Sequence, residues 1–257
     1  MRLGASLLAW IITLGVASTA GAIYGGAPVP AGKWDAAVSF QWWASAGESG
    51  GCSGVLIAGN AVLTAAHCVR APTGKPRRVR SVRVGNPRGR TVRARVVGVH
   101  VHPRYNPRKP EAGADLALLV LKDAIKGHAP IRVARPEQDP KQGEKVTIAG
   151  FGVTRDRRGR IVRSRVLREI EQESLSPFHC FSGPVREMAK TRMCSAYPGR
   201  AVCPGDSGSP ATLRRPGQPE ILVGIVSVAI DQKVCSKTAT QMTRVSAFGG
   251  WIEKAMR

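Results

Sequence analysis

The apolar residues of this chain come in short β-branched runs separated by turn-forming residues, and that texture restricts the fold more than any other feature. The runs are Val55-Leu56-Ile57, Val79 to Val84, Thr91 to Val99, Leu116 to Leu121, Lys145 to Ile148 and Ile221 to Ile230. Gly, Pro and Asn punctuate them, with 29 Gly and 18 Pro in 257 residues. Val82 and Val84, then Val92-Arg93-Ala94-Arg95-Val96, alternate apolar and polar as half-buried strands do. Two β-domains are expected, over residues 23–133 and 144–245. Ala134 to Gly143 between them is polar and contains two prolines, as a linker would. Residues 246–257 are expected as a short helix capped by Ser246. At 43% hydrophobic residues the chain can bury a core, which excludes general disorder.

Residues 1–22 read as an export signal. Arg2 and the terminal amine make a positive start, and Leu7 to Ala17 is an apolar run too short to span a bilayer comfortably. Ala20-Gly21-Ala22 presents the small residues that a signal peptidase accepts, so the exported chain would begin at Ile23; a cut after Ala20 is the other option. No later stretch is long and apolar enough for a membrane-spanning helix. Secretion, into the medium or a periplasm, is therefore expected, with no membrane span once the signal is removed. The six cysteines then suggest three disulfides, for which sequence alone leaves fifteen connectivities. No C-x-x-C pair occurs, which argues against a zinc ribbon or a thioredoxin-like site.

Three local patterns carry chemistry. Leu63-Thr64-Ala65-Ala66-His67-Cys68 places a histidine after an apolar strand and beside a cysteine. Asp115 opens the apolar strand Leu116 to Leu121, where an unpaired buried carboxylate would be costly, so a histidine ring is a natural partner. Cys203-Pro204-Gly205-Asp206-Ser207-Gly208-Ser209-Pro210 sets a serine on a glycine-flanked loop whose N–H groups can converge on a substrate oxygen. A G-x-S-x-G elbow is excluded, because Ser207 sits in G-D-S-G-S and its partners precede it. His100-Val-His102 places two imidazoles on one strand face without a third ligand, so no metal is expected. The absence of any acid from Val69 to Pro110 argues against a calcium loop there.

With those patterns in the order His, Asp, Ser, the chain resembles the trypsin/chymotrypsin-type serine proteases over essentially Ile23 to Arg257. The resemblance implies an all-β fold of two six-stranded antiparallel β-barrels with a short C-terminal helix. It implies a peptide hydrolase that needs no cofactor, works through an acyl-enzyme and is expected as a monomer. Ser207 would be the nucleophile, His67 the base and Asp115 the residue that orients it. Gly205 and Ser207 would supply the oxyanion-hole N–H groups, and Ser227 would support Asp115. The disulfides implied are Cys52 with Cys68, Cys180 with Cys194, and Cys203 with Cys235. Family members use a new N-terminal ammonium that pairs with the aspartate before the nucleophile. Here Ile23-Tyr24-Gly25-Gly26 and Asp206 match, with Tyr24 in place of the usual Val. Signal peptidase would itself create the activating amine.

The same resemblance assigns the primary substrate pocket to Ala201, Ser227, Val228, Ala229 and Thr240, with Gln241 as the other candidate for the last position. Ala201 lacks the carboxylate that trypsin-like members use against Arg or Lys. A neutral, narrowed pocket implies cleavage after small or medium apolar residues. Ser209 stands where the family has Gly, and Val228 where it has Trp.

Charge raises a second question. The chain has 39 Lys+Arg against 17 Asp+Glu, a net charge of +22. Thirteen Lys/Arg and no acid fall between Val69 and Pro110, and Arg155 to Arg168 adds seven Arg against one Asp. The functional reading is an anionic surface or polyanion as partner beside the protein or peptide substrate. The plainer reading, preferred for any specific ligand, is a solvated basic face. Specific nucleic-acid binding is not expected, since aromatic residues are 5% and no recognition motif occurs. A non-catalytic or dual-role basic binding protein on a protease scaffold is the alternative function.

Overall fold

The computed structural model describes residues 23–44, 47–155, 161–164, 166–229 and 239–257. The expected export signal, four of the seven arginines of the second arginine-rich stretch and Cys235 lie outside the described residues.

Alternation of buried and exposed side chains builds the first barrel. Its strands are β1 (Ala37–Trp43), β2 (Ser49–Ala58), β3 (Ala61–Thr64), β4 (Ser81–Val84), β5 (Val92–Val101) and β6 (Ala117–Leu121). They close in the order β1-β2-β3-β6-β5-β4, every pair antiparallel. On β4, Val82 and Val84 point into the core while Arg83 faces out. On β5, Arg93 and Arg95 take the exposed positions between half-buried Val92, Ala94 and Val96. Closure leaves the barrel no free edge, which suits a chain rich in β-formers.

The second barrel comprises β7 (Lys145–Gly150), β8 (Arg168–Ser174), β9 (Arg192–Ala196), β10 (Pro210–Leu213), β11 (Ile221–Ala229) and β12 (Thr240–Arg244). Its ring runs β8-β9-β12-β11-β10-β7 and closes through the pairing of β7 with β8. The two-barrel, all-antiparallel architecture expected from the resemblance is thus present. Both ends of the segment 23–133 attach to this second barrel. Ala27–Pro28 pairs with β8, and Arg132–Val133 runs parallel to β11.

The chain end returns to the first barrel. The helix Gly249–Ala255 follows a 3-10 turn over Val245–Phe248, and Phe248 and Ile252 are buried in the first barrel's core. Burial of each such side chain is worth about 1.5–3 kcal/mol. Ser246, expected as the helix cap, instead donates to Asp139 Oδ1 at 2.7 Å, because the intervening 3-10 turn displaces it from the helix start. His102 lies beyond the end of β5 and does not share a face with exposed His100. It packs edge-on against Phe248 and Trp251, with ring centroids 4.9 and 5.0 Å away. Burial lowers its pKa, as a helix-docking aromatic requires. Disulfides join Cys52 to Cys68 and Cys180 to Cys194. Cys203 is also disulfide-bonded.

Candidate active site

Loops from both barrels supply the site. His67 sits in the 3-10 turn Ala66–Cys68 directly after β3, and the Cys52–Cys68 disulfide ties that turn to β2. Arg77 donates to the His67 carbonyl and stacks on Trp42, its guanidinium 3.8 Å from the ring centroid. Asp115 precedes β6 and is wholly buried. Its own carbonyl accepts from Thr243 Oγ1 at 3.0 Å, so a second-barrel residue fixes a first-barrel loop.

The Asp115 carboxylate accepts three hydrogen bonds. His67 donates twice, from its backbone N–H to Oδ1 at 2.9 Å and from Nδ1 to Oδ2 at 2.7 Å. Ser227 Oγ adds a third, to Oδ2 at 2.6 Å. Burial raises the carboxyl's pKa, but the charge of His67, with the hydrogen bonds from His67 and Ser227, holds it below the ordinary carboxylate value. A carboxylate can only accept, so Nδ1 carries the proton and Nε2 is left as a base.

Ser207 shares a cavity of about 510 Å³ with His67, Ser227 and Val228. Among the described residues its hydroxyl makes no hydrogen bond, an arrangement common before substrate tightens such sites. The loop around it is pinned from the first barrel. Ser53 N–H donates to the Ser207 carbonyl at 2.8 Å, and Ser53 Oγ donates to the Gly205 carbonyl at 3.2 Å. The neighbouring amides are consumed: Asp206 N–H reaches Cys203 O, Gly208 N–H reaches Val226 O, and Ser209 N–H reaches Asp206 O. The N–H groups of Gly205 and Ser207 have no acceptor among the described residues, leaving two donors for a substrate oxyanion. Gly205 has φ +94°, a conformation that costs glycine little.

Asp206 turns inward and is wholly buried. Gly152 N–H donates to its Oδ1 at 2.7 Å and Cys203 N–H to its Oδ2 at 2.9 Å, and the backbone N–H of Ile23 also donates to it. Any side chain at Gly152 would collide with the Asp206 carboxylate, so this position is closed to other residues. Burial pushes the Asp206 carboxyl up to about 7, the three backbone donors only partly opposing it. Ile23 is wholly buried among Val146, Ile148 and Val202, whereas Tyr24 is 39% exposed. That exposure explains why Tyr replaces Val at position 24 without disturbing the core.

Ala201 and Thr240 are wholly buried, and Val202, Ser227 and Val228 line the cavity wall. Gln241 is held away from Thr240 by strand alternation. Its amide accepts from Arg192 at 2.9 Å and donates to Cys180 O at 3.3 Å. The side chain of Ala229 lies outside the described residues, as does Cys235. Sequence reasoning did not single out Ser53, Arg77, Gly152 or Thr243. Ser53 follows a paired cysteine, and that adjacency was the only signal for it.

Ser209 carries a cost. Its hydroxyl is buried with no hydrogen-bond partner among the described residues. Ser209→Ala is expected to stabilise the protein by about 1–3 kcal/mol, read as a higher midpoint in urea or thermal unfolding. An unchanged or lower midpoint contradicts the assignment of that hydroxyl as unpaired.

Comparison with known proteins bears on the same residues. The family model described as Trypsin matches residues 23–252. The chain is 30% identical to serine protease 56 of Mus musculus over 254 residues, covering 94% of this chain and 40% of that protein. It therefore spans less than half the length of that relative. Against human granzyme M it is 31% identical over 215 residues, covering 79% of this chain and 78% of the granzyme. Against chymotrypsin-like elastase family member 1 of Rattus norvegicus it is 28% identical over 242 residues, covering 91% and 89%.

Proposed function

The chain belongs to the trypsin family, and from that premise we propose that it is a secreted chymotrypsin-like serine endopeptidase with His67, Asp115 and Ser207 as its triad. The observation that carries this reading is the buried Asp115 carboxylate, which takes both N–H groups of His67 and so leaves Nε2 basic toward the cavity that holds Ser207.

The chemistry follows from those positions. Ser207 Oγ attacks the scissile carbonyl carbon while its proton passes to His67 Nε2. The carbonyl oxygen becomes an oxyanion and accepts from the N–H groups of Gly205 and Ser207. The tetrahedral adduct collapses, the C–N bond breaks, and the imidazolium protonates the departing amine. That leaves the acyl group as an ester on Ser207 Oγ. Water gives a proton to His67 as its oxygen attacks the ester carbon, the C–Oγ bond then breaks to release the acid, and His67 returns the proton to Ser207 Oγ. Asp115 stays ionised throughout and stabilises the imidazolium. Residues 134–143 are proposed as the linker between the two domains.

The pocket reading follows from what it lacks. Ala201 offers no carboxylate to a cationic side chain, and Arg77 and Arg108 line the cavity that holds Ser207 and repel one. The named similarity to an elastase supports small or medium apolar residues before the cut. In a panel of peptides differing only at that residue, Ala, Val or Leu is expected to be cleaved faster than Arg. Because a methylene is worth about 1–3 kcal/mol, selectivity among the apolar residues is expected to be modest. A strong preference for Arg refutes the pocket assignment. The alternative of a non-catalytic polyanion-binding protein is not favoured, since all three triad residues are present, His67 and Asp115 are hydrogen-bonded to each other and the Ser207 loop is pinned by Ser53.

A further inference from the structure

A second cleft, of about 500 Å³, adjoins the active-site cavity, and the two share Gly51, Cys52 and Gly205 as walls. Ser227 and Val228, which wall the acyl side, do not line it. It passes instead along the Cys52–Cys68 disulfide that braces the His67 turn. His67 must reach the departing amine to protonate it, so the leaving half of a substrate lies on the His67 side. The cleft is therefore the path of the residues after the cut.

Its outer wall is cationic. Arg83 on β4 and Arg93 on β5 are direct register partners, and both line the cleft from the outward faces of their strands. Like charges set directly opposite across two strands repel. Among the described residues neither arginine pairs with a carboxylate, and no Asp or Glu lines the cleft. Arg93 Nε donates to Ser81 Oγ at 3.0 Å, and Ser39 stands in register with Arg83. Two guanidinium forks beside two hydroxyls make a recognition surface for a carboxylate, which would also relieve the repulsion.

We infer that Arg83 and Arg93 form a subsite for an acidic side chain on the leaving-group side of the substrate. The inference rests on the protease reading above and adds a substrate class to it. Strand spacing sets the position. Arg83 stands two strands from Cys52 and Arg93 three, roughly 10 and 14 Å at about 4.8 Å per strand. An extended peptide advances about 3.3 Å per residue, and an arginine side chain reaches back several ångströms, so the second and third residues after the cut meet the pair.

The test uses three internally quenched peptides with a common acyl half, carrying Asp, Ser or Lys at the second and third positions after the cut. Wild-type enzyme beginning at Ile23 is expected to cleave the Asp peptide with kcat/KM about tenfold above the Ser peptide, and the Lys peptide more slowly still. The spread should narrow between 50 and 500 mM NaCl, since exposed charges such as these are screened over roughly a Debye length. Arg83→Ser with Arg93→Ser should equalise the three peptides. Arg83→Glu with Arg93→Glu should invert the order. Equal cleavage of all three by the wild type, or discrimination surviving in the double Ser variant, overturns the subsite. No cleavage of any peptide overturns the protease reading, and the subsite falls with it.

Discussion

Ser207→Ala is expected to reduce kcat by about 10⁶, and His67→Ala by a similar factor, because each removes a member of one reacting unit. The double variant should lose no more than either single one, since a triad without its nucleophile has nothing left for the base to activate. Asp115→Asn is expected to cost about 10⁴, because an amide that presents its N–H₂ to Nδ1 selects the wrong imidazole tautomer. The three changes should differ in stability. The Ser207 hydroxyl makes no hydrogen bond among the described residues, so Ser207→Ala should leave the unfolding midpoint within about 0.5 kcal/mol. Asp115 is buried with three donors aimed at it, and its pKa is held below the ordinary value. A carboxylate with a lowered folded pKa contributes stability above its unfolded value and loses it as pH falls through the folded one. Acid should therefore destabilise the wild type more than Asp115→Asn. Activity changes below tenfold for Ser207→Ala or His67→Ala would contradict the assigned roles.

The second large effect concerns Ile23. Asp206 lies between Gly205 and Ser207, whose N–H groups are the proposed oxyanion donors, so the anchoring of its carboxylate would set where those donors point. Buried with no cation beside it among the described residues, that carboxyl is pushed up to about 7. A free ammonium at Ile23, whose amide nitrogen already meets Asp206, would supply the missing charge. A chain that retains residues ahead of Ile23 cannot form that ammonium and is expected to lose about 10²–10³ in kcat/KM, the scale of a disabled oxyanion hole. Asp206→Asn should do the same in the processed chain.

Linkage gives the pH dependence. In the extended chain Asp206 has a folded pKa above its unfolded value of 3.8, so its contribution is full below 3.8 and is lost as pH rises through about 7. Between pH 5 and 8.5 the extended chain should lose about 3 kcal/mol relative to the processed one, or roughly 6–12 °C in melting temperature. In the processed chain the ammonium pKa is raised by its partner, so activity should persist at pH 8.5 and fall only as pH rises through that raised value. Equal melting profiles for the two chains, or full activity of the extended one, would contradict this account.

Much of this was legible in the residues. The β-branched runs gave strand positions because alternation against a core is a local property, seen at Val82, Arg83 and Val84. His67, Asp115 and Ser207, the proposed triad, could be singled out because each sits in a short pattern of its own. The tertiary braces did not. Ser53 holds the Ser207 loop from the other barrel, and Thr243 holds the Asp115 loop in the same way. Neither contact has a local pattern, since its partner is more than 100 residues away. The return of Phe248 and Ile252 to the first core and the pairing of Ala27–Pro28 with β8 are long-range in the same sense. Strand alternation puts His100 and His102 on one face, but His102 lies past the strand end and packs against the C-terminal helix. The charge proved partly structural: Arg77 braces the His67 turn, and Arg168 donates to Gly26 O at 2.7 Å.

The central claim is that Ser207 is a nucleophile activated by His67. Labelling with an alkyl fluorophosphonate, which phosphonylates an activated serine with loss of fluoride, tests it most directly. On protein whose N-terminus is verified as Ile23, peptide mass mapping should find one adduct, on Ser207, and none in His67→Ala. An adduct on another residue, or an unlabelled Ser207 in that protein, would contradict the claim.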